Sequence, residues 1–167
     1  TIAQQVRRVI QVDECTVFLV DDSGRVLVPA VCDARAYYDE MMALRLNMGQ
    51  GITGIVAQNG RGEIVNTAET DPRAADVPGT PDEEASLLCV PLMIKSELKG
   101  VLTVYNKKDS VQFTDDDQRL LAIIAAQSGQ VIENARLNER EKQFLKMQEE
   151  LRLAARIQIE LLPKSAP

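Results

Sequence analysis

Few residues in this chain can do chemistry. Among 167 residues there is no histidine, and there are three cysteines, Cys15, Cys32 and Cys89. Without imidazole there can be no Ser-His-Asp triad, no histidine-held haem or metal and no phospho-accepting histidine. The cysteines are odd in number, never in a C-x-x-C pair and set in apolar, strand-like runs, so they read as small buried hydrophobes rather than a disulfide frame or a zinc site. One pattern spells a binding fingerprint: Gly49, Gly51 and Gly54 give G-x-G-x-x-G, with Glu69 or Asp71 about 20 residues further on. A dinucleotide loop of that kind follows a buried parallel strand, whereas this one follows an opening hairpin and a polar strand with Arg45 and Asn47. The glycines are therefore expected to turn the chain into a short helix, Ile52 to Gln58, that Gly60 and Gly62 end.

The elements that position these residues are legible in order. Ile2, Val6, Val9 and Ile10 recur at helical spacing. ECTVFLV and VLVPA flank the turn DDSGR and predict a hairpin, so the sheet begins antiparallel. A connector with a helical turn over Tyr37 to Ala43 follows. After the glycine turn come a short strand, EIVN, and a polar loop, TAETDPRAADVPGTPDEEA, with one helical turn and the greatest expected mobility. SLLCVPLMI and GVLTVY, joined by KSELK, are apolar at both parities, which predicts a hairpin covered on both faces.

From Thr114 to Leu162 the chain reads as one long helix, capped by Thr114 with Asp115, Asp116 and Asp117 in the first turn. At ~1.5 Å per residue it runs roughly 70 Å, about twice the width of a domain this size. Its first half carries a broad stripe, Leu121, Ile124, Ala125, Ser128, Val131, Ile132 and Ala135, of the kind that packs on a sheet. In the second half Leu137, Phe144, Met147, Leu151, Ala154 and Leu161 fall on the a and d positions of one heptad frame, with Arg140 and Gln158 as polar exceptions. So thin a seam calls for a partner helix, and a parallel homodimer is the expectation; a tail docked on its own domain is the alternative.

Hydrophobic residues make up 45% of the chain, enough for one core of ordinary size, so we place a domain at 1–138 and a coiled-coil linker at 139–167. A net charge of -6 argues against a nucleic-acid partner. No apolar run is long enough to span a bilayer and no signal peptide is visible, giving a cytoplasmic expectation without a membrane partner. A start without Met and an end inside a motif lead us to expect a piece of a longer protein.

Together these segments resemble the GAF domain, a small-molecule sensing module with an antiparallel sheet and helices on both faces. The resemblance spans about residues 1–138 and rests on the order of TVFLVDDSGRVLVPA, GQGITGIVAQNGRGEIVN, Asp71-Pro72-Arg73 and SLLCVPLMIKSELKGVLTVYNKKDSVQFTDDD. It implies an α+β fold with an antiparallel sheet of about six strands and a long C-terminal coiled-coil helix. Cyclic-nucleotide-binding members carry an Asn-Lys…Phe…Asp-Glu signature, which Asn106, Lys107, Phe113 and Asp117 match while Gln118 replaces the Glu. We read that signature as architectural, with Lys107 clasping Asp117. The implied pocket takes its candidates from the loop and the glycine turn: Ile52, Asn66, Thr67, Thr70, Asp71, Arg73 and Ser86. Arg73 suits a phosphate or carboxylate and Asp71 a base or amine; read as local structure, Asp71-Pro72 is only a turn.

LAARIQIELLPKSAP resembles the linker that precedes the phosphatase domain of SpoIIE-like, metal-dependent bacterial serine phosphatases, through Ala155, Ile157, Gln158, Leu161, Leu162, Pro163 and Pro167. It implies that a phosphatase domain, with its Mn or Mg ions, lies beyond Pro167, and that this stretch has neither catalytic residues nor a cofactor of its own. The resulting reading is a sensory module that dimerises and passes a signal to a phosphatase output in a partner-switching pathway. The competitors are a small-molecule or cyclic-nucleotide binding domain of another signalling protein, a ligand-free dimerisation module, and a cysteine-dependent methionine sulfoxide reductase.

Overall fold

A computed structural model describes residues 1–34, 36–79 and 86–163, in which an α+β chain is organised on six antiparallel strands. A short helix α1 (Ile2–Val6) and a π turn lead into β1 (Val12–Val20) and β2 (Val26–Asp33), the expected hairpin. Its turn is held by the Asp21 carboxylate, which accepts from the Ser23 hydroxyl at 2.6 Å and the Val26 amide at 3.3 Å. Helix α2 (Tyr38–Ala43), the two-residue strand β3 (Leu46–Asn47), helix α3 (Gly51–Asn59) and strand β4 (Glu63–Val65) follow. The polar loop contains the expected turn, as a 3-10 segment over Ala68–Thr70; its residues 80–85 lie outside the described part, as do Arg35 and residues 164–167.

Strands β5 (Leu87–Ile94) and β6 (Glu97–Lys107) are joined by Lys95-Ser96 alone, both left-handed at φ 50° and 63°. The turn is thus shorter than the polar run KSELK suggested, because positive φ at both central residues lets two strands with right-handed twist meet in two residues. The strand order β3-β2-β1-β6-β5-β4 pairs the first strand with the last, placing Glu14 opposite Tyr105 and Thr16 opposite Thr103.

Both faces of the sheet are buried. On one, Phe18, Leu27, Cys89 and Val101 pack with Met41 of α2 and with Ile52, Val56 and Ala57 of α3. Residues of the opposite parity, such as Val17, Leu88, Leu92, Leu102 and Val104, are equally buried, as are Ala3 and Val6 of α1. Helix α4 (Asp115–Leu161) contributes Leu121, Ile124, Ala125, Ser128 and Gly129. A Cβ added to Gly129 would lie 3.2 Å from Ile94 and 3.3 Å from Leu92, which locates this turn against β5.

The head of α4 is fastened twice. The Asp117 amide donates to Thr114 Oγ1 at 3.3 Å and the Thr114 amide donates to the Asp117 carboxylate at 2.9 Å, a reciprocal cap. Lys107 Nζ donates to the same carboxylate at 2.6 Å. Burial pushes the Asp117 carboxyl up, but the bonds from Lys107 and Thr114 outweigh it and hold the group below its ordinary value.

One compact unit runs Thr1–Gln130 and a second begins at Val131, whereas the sequence pattern alone placed the boundary at 138/139. Val131 and Ala135, expected in the packed stripe, are exposed, and burial on α4 stops at Gly129. In the second unit α4 continues to Leu161, and Leu137, Phe144, Met147, Leu151, Ala154 and Leu161 are all exposed. Among the described residues no helix is long and apolar enough to cross a membrane, and no three His, Cys, Asp or Glu side chains gather to hold a metal.

Candidate ligand cleft

The glycine motif builds the entrance to a cleft. Gly54 approaches the backbone so closely that a Cβ would lie 2.6 Å from the Asn47 carbonyl, and Gly51, at φ +65°, would bring one to 2.8 Å from Ala75 Cβ. The motif therefore lets α3 start tight against β3 and lets the segment after Asp71 lie on the helix start. An edge strand of two residues in an antiparallel sheet precedes it, so the parallel strand and βαβ frame of a dinucleotide site are absent here. Gly62, expected to help end the helix, instead permits close packing, since a Cβ there would meet the Gln118 side chain at 2.6 Å.

The cleft has a volume of about 710 Å³, within the ~300–1,000 Å³ range of small-molecule sites. Its apolar lining comes from α2 and β3 (Met41, Leu46), from α3 (Ile52), from the start of β5 (Leu87) and from the segment 74–78. Glu14, Tyr105 and Thr53 supply the polar floor. Beneath it Thr53 Oγ1 lies 3.2 Å from Thr103 Oγ1 and 3.6 Å from Cys89 Sγ, and Cys89 Sγ lies 3.3 Å from Thr103 Oγ1. This buried chain of hydroxyls and a thiol ties α3 to β5 and β6, satisfying polar groups that would otherwise be costly to bury. Burial pushes the Tyr105 hydroxyl well above its ordinary value, so it stays protonated, and it shares a hydrogen bond with Thr53.

The residues expected to line one pocket are divided. Ile52 and Asp71 line the cleft just described. Asn66, Thr67 and Ser86 line a second hollow of about 680 Å³, with Asn106, Lys107 and Lys108. That hollow is a structural joint. The Asn66 side chain accepts from the Phe113 amide at 2.9 Å, the Asn106 side chain accepts from the Ser86 amide at 3.1 Å, and Lys107 grips Asp117. With Phe113 buried at 4% exposure, the Asn-Lys…Phe…Asp signature acts as an architectural clasp, as its residue types suggested.

Thr70 and Arg73 line neither hollow. The Thr70 hydroxyl donates to the Thr67 carbonyl at 3.1 Å. Arg73 is spent on carboxylates: Nη2 lies 2.7 Å from Asp71 and Nη1 2.5 Å from Glu63. The Arg73 hydrogen bonds hold the Asp71 carboxyl down at about 2, and donating to Asp71 and Glu63 raises the guanidinium further. This latch ties Asp71, which lines the cleft, to β4. The polar floor residues Glu14, Thr53 and Tyr105 were not in the sequence-derived set, because nothing in a strand's or helix's own sequence says which residue of another element it will face.

The thiols are not placed for catalysis. Burial pushes Cys89 up to about 11 and Cys15 to about 12, and burial also raises Cys32. Such thiols stay protonated near neutral pH and are poor nucleophiles, and none lines either hollow.

Comparison with known proteins agrees with this geometry. The family model described as the GAF domain matches residues 1–133. A probable 3',5'-cyclic phosphodiesterase, pde-5, of Caenorhabditis elegans is 28% identical over 144 residues, 80% of this chain but only 20% of that protein. The chain thus spans about a fifth of that curated relative's length. Among solved structures, the GAF domain of a phosphoenolpyruvate-protein phosphotransferase from Coxiella burnetii superposes with a TM-score of 0.72 at 20% identity, covering 83% of this chain and 82% of that one. Free methionine-R-sulfoxide reductase from Neisseria meningitidis, in complex with its substrate, reaches 0.66 at 20% identity over 81% and 76%.

Proposed function

The chain belongs to the GAF family, a regulatory rather than catalytic module, and from that premise we propose that it senses a small molecule in the cleft and transmits its state along α4 to an output domain. One observation carries the reading. Tyr105 forms part of the cleft floor, Asn106 touches both hollows, and Lys107 holds Asp117 in the first turn of α4. Three consecutive residues of β6 thus lead from the ligand's place to the helix that would carry the signal. A ligand that binds two states of the cleft unequally biases whatever is rigidly attached to its floor.

The receiving device is the exposed seam of Leu137, Phe144, Met147, Leu151, Ala154 and Leu161, which we assign to a parallel homodimer. Arg140 and Gln158 within it weaken the zipper enough for its register to respond. The output we infer is a metal-dependent serine phosphatase in the same polypeptide, on the resemblance of residues 153–167, and the Mn or Mg ions belong to that domain. Cytoplasmic partner switching in bacteria is the setting in which such an output works.

Sedimentation of residues 1–167 and of 1–138 tests the arrangement. The longer chain should be a dimer and the shorter one substantially monomeric at the same concentration. Monomers in both cases at high concentration would overturn it.

A further inference from the structure

The cleft also speaks about what it takes, and this inference rests on the sensor reading above. Buried apolar side chains form part of its lining: Met41, Ile52 and Leu87 are 4%, 3% and 7% exposed, and the cavity is large enough for a single aryl or alkyl body. Its charge is one-sided. Glu14, Glu69, Asp71 and Asp76 line it, and among the described residues no Lys or Arg does.

Three features offset that charge and must be weighed. Glu14 keeps an interaction of its own, and Asp71 is paired with Arg73. The first turn of α3, with Gly51, Ile52 and Thr53 at the cleft, adds the positive end of a helix, about half a unit charge. Glu69 and Asp76 remain at the rim, without ion-pair partners among the described residues. The charge of the described lining is therefore negative, and a phosphate or carboxylate entering it would give up part of its hydration without meeting a Lys or Arg among the described residues that line it. A protonated amine entering the same space gains from the Glu69 and Asp76 carboxylates, which accept its N–H hydrogen bonds.

We infer that the ligand of this cleft is an organic amine with an apolar body, and that cyclic nucleotides and other anions are excluded from it. Isosteric pairs test this on the full 167-residue chain: phenethylamine against 3-phenylpropionate, tryptamine against indole-3-propionate, with cyclic AMP and cyclic GMP alongside. The amines should raise Tm by about 5 °C near 100 times their Kd, and bind at least about tenfold tighter than the matched acids. In Glu69→Gln/Asp76→Asn, whose altered side chains are exposed and leave the fold intact, the preference for amine over acid should shrink about tenfold. Equal or tighter binding of the acids, no shift with any amine, or a preference unchanged in the double variant would each overturn the inference. Stabilisation by a cyclic nucleotide in place of the amines would overturn it while leaving the sensor reading standing; a monomeric 1–167 chain would overturn the sensor's transmission route whatever the cleft binds.

Discussion

The two halves of α4 share one secondary structure and almost nothing else. Residues 115–130 are capped by Thr114 and Asp117, gripped by Lys107, and bury Leu121, Ile124, Ala125, Ser128 and Gly129. From Val131 onward no described residue of the helix is fully buried, and Leu137, Leu151 and Leu161 are 50%, 65% and 77% exposed. The first half is a helix because tertiary packing makes it one. The second has only helix propensity and surface pairs such as Glu149 with Arg152, worth ~0.3–0.5 kcal/mol each. Apolar side chains at a and d positions so exposed are the basis of the homodimer we propose, whereas the same residue types in the first half are buried against the sheet.

The largest effect should come from making the halves differ further. Phe144→Glu with Leu151→Glu removes four seam side chains per dimer, each contributing roughly 1.5–3 kcal/mol when buried. Analytical ultracentrifugation should then find monomers, with the Tm of the 1–130 unit unchanged; a dimer that survives the double substitution would place the interface elsewhere. Leu121→Ala acts on the other half. It empties a fully buried site and should cost about 2–5 kcal/mol in chemical denaturation while leaving the seam's association intact.

Smaller effects sharpen the contrast at the helix head. Lys107→Ala strips the Asp117 carboxylate of its charge partner and should cost about 1–2 kcal/mol, less than a fully buried pair because both side chains keep some exposure to water. The pH dependence has a definite sign. The folded-state value of Asp117 lies below the ordinary 3.8, so its contribution is fully present above that value and is lost as pH falls through the folded one. Thermal unfolding below about pH 4 should therefore be steeper in the parent than in Asp117→Asn, and the seam variant should track the parent. An acid limb unaltered by Asp117→Asn would remove the head from the set of anchors.

Much of the fold was legible because its signals are local. The β-branched, apolar runs at 14–20 and 26–30 around a Gly turn gave a hairpin, the doubly apolar runs at 86–94 and 100–105 gave a strand pair covered on both faces, and the Thr114 cap with three aspartates fixed where α4 begins. The compact unit ends at Gln130 although Val131 and Ala135 continue the stripe's spacing, because spacing does not report where the sheet ends. The candidate site was only half legible. Ile52 and Asp71 line one cleft and Asn66, Thr67 and Ser86 the other, a division no local signal announces: Asn66 accepts from the Phe113 amide, the Ser86 amide donates to Asn106, and Arg73 pairs with Asp71 and Glu63.

By itself, then, the order of residues determined the helices and strands, the architectural role of Asn106, Lys107, Phe113 and Asp117, and the absence of any histidine chemistry. Only the tertiary structure decided that Glu14 faces Tyr105, that Thr53, Cys89 and Thr103 join under the cleft, and that Arg73 is engaged by Asp71 and Glu63. The physical reason is separation along the chain. Cross-strand pairs between β1 and β6 join residues some ninety positions apart, and which of two like-charged or unlike-charged groups meet is set by register and packing, not by any neighbour in sequence.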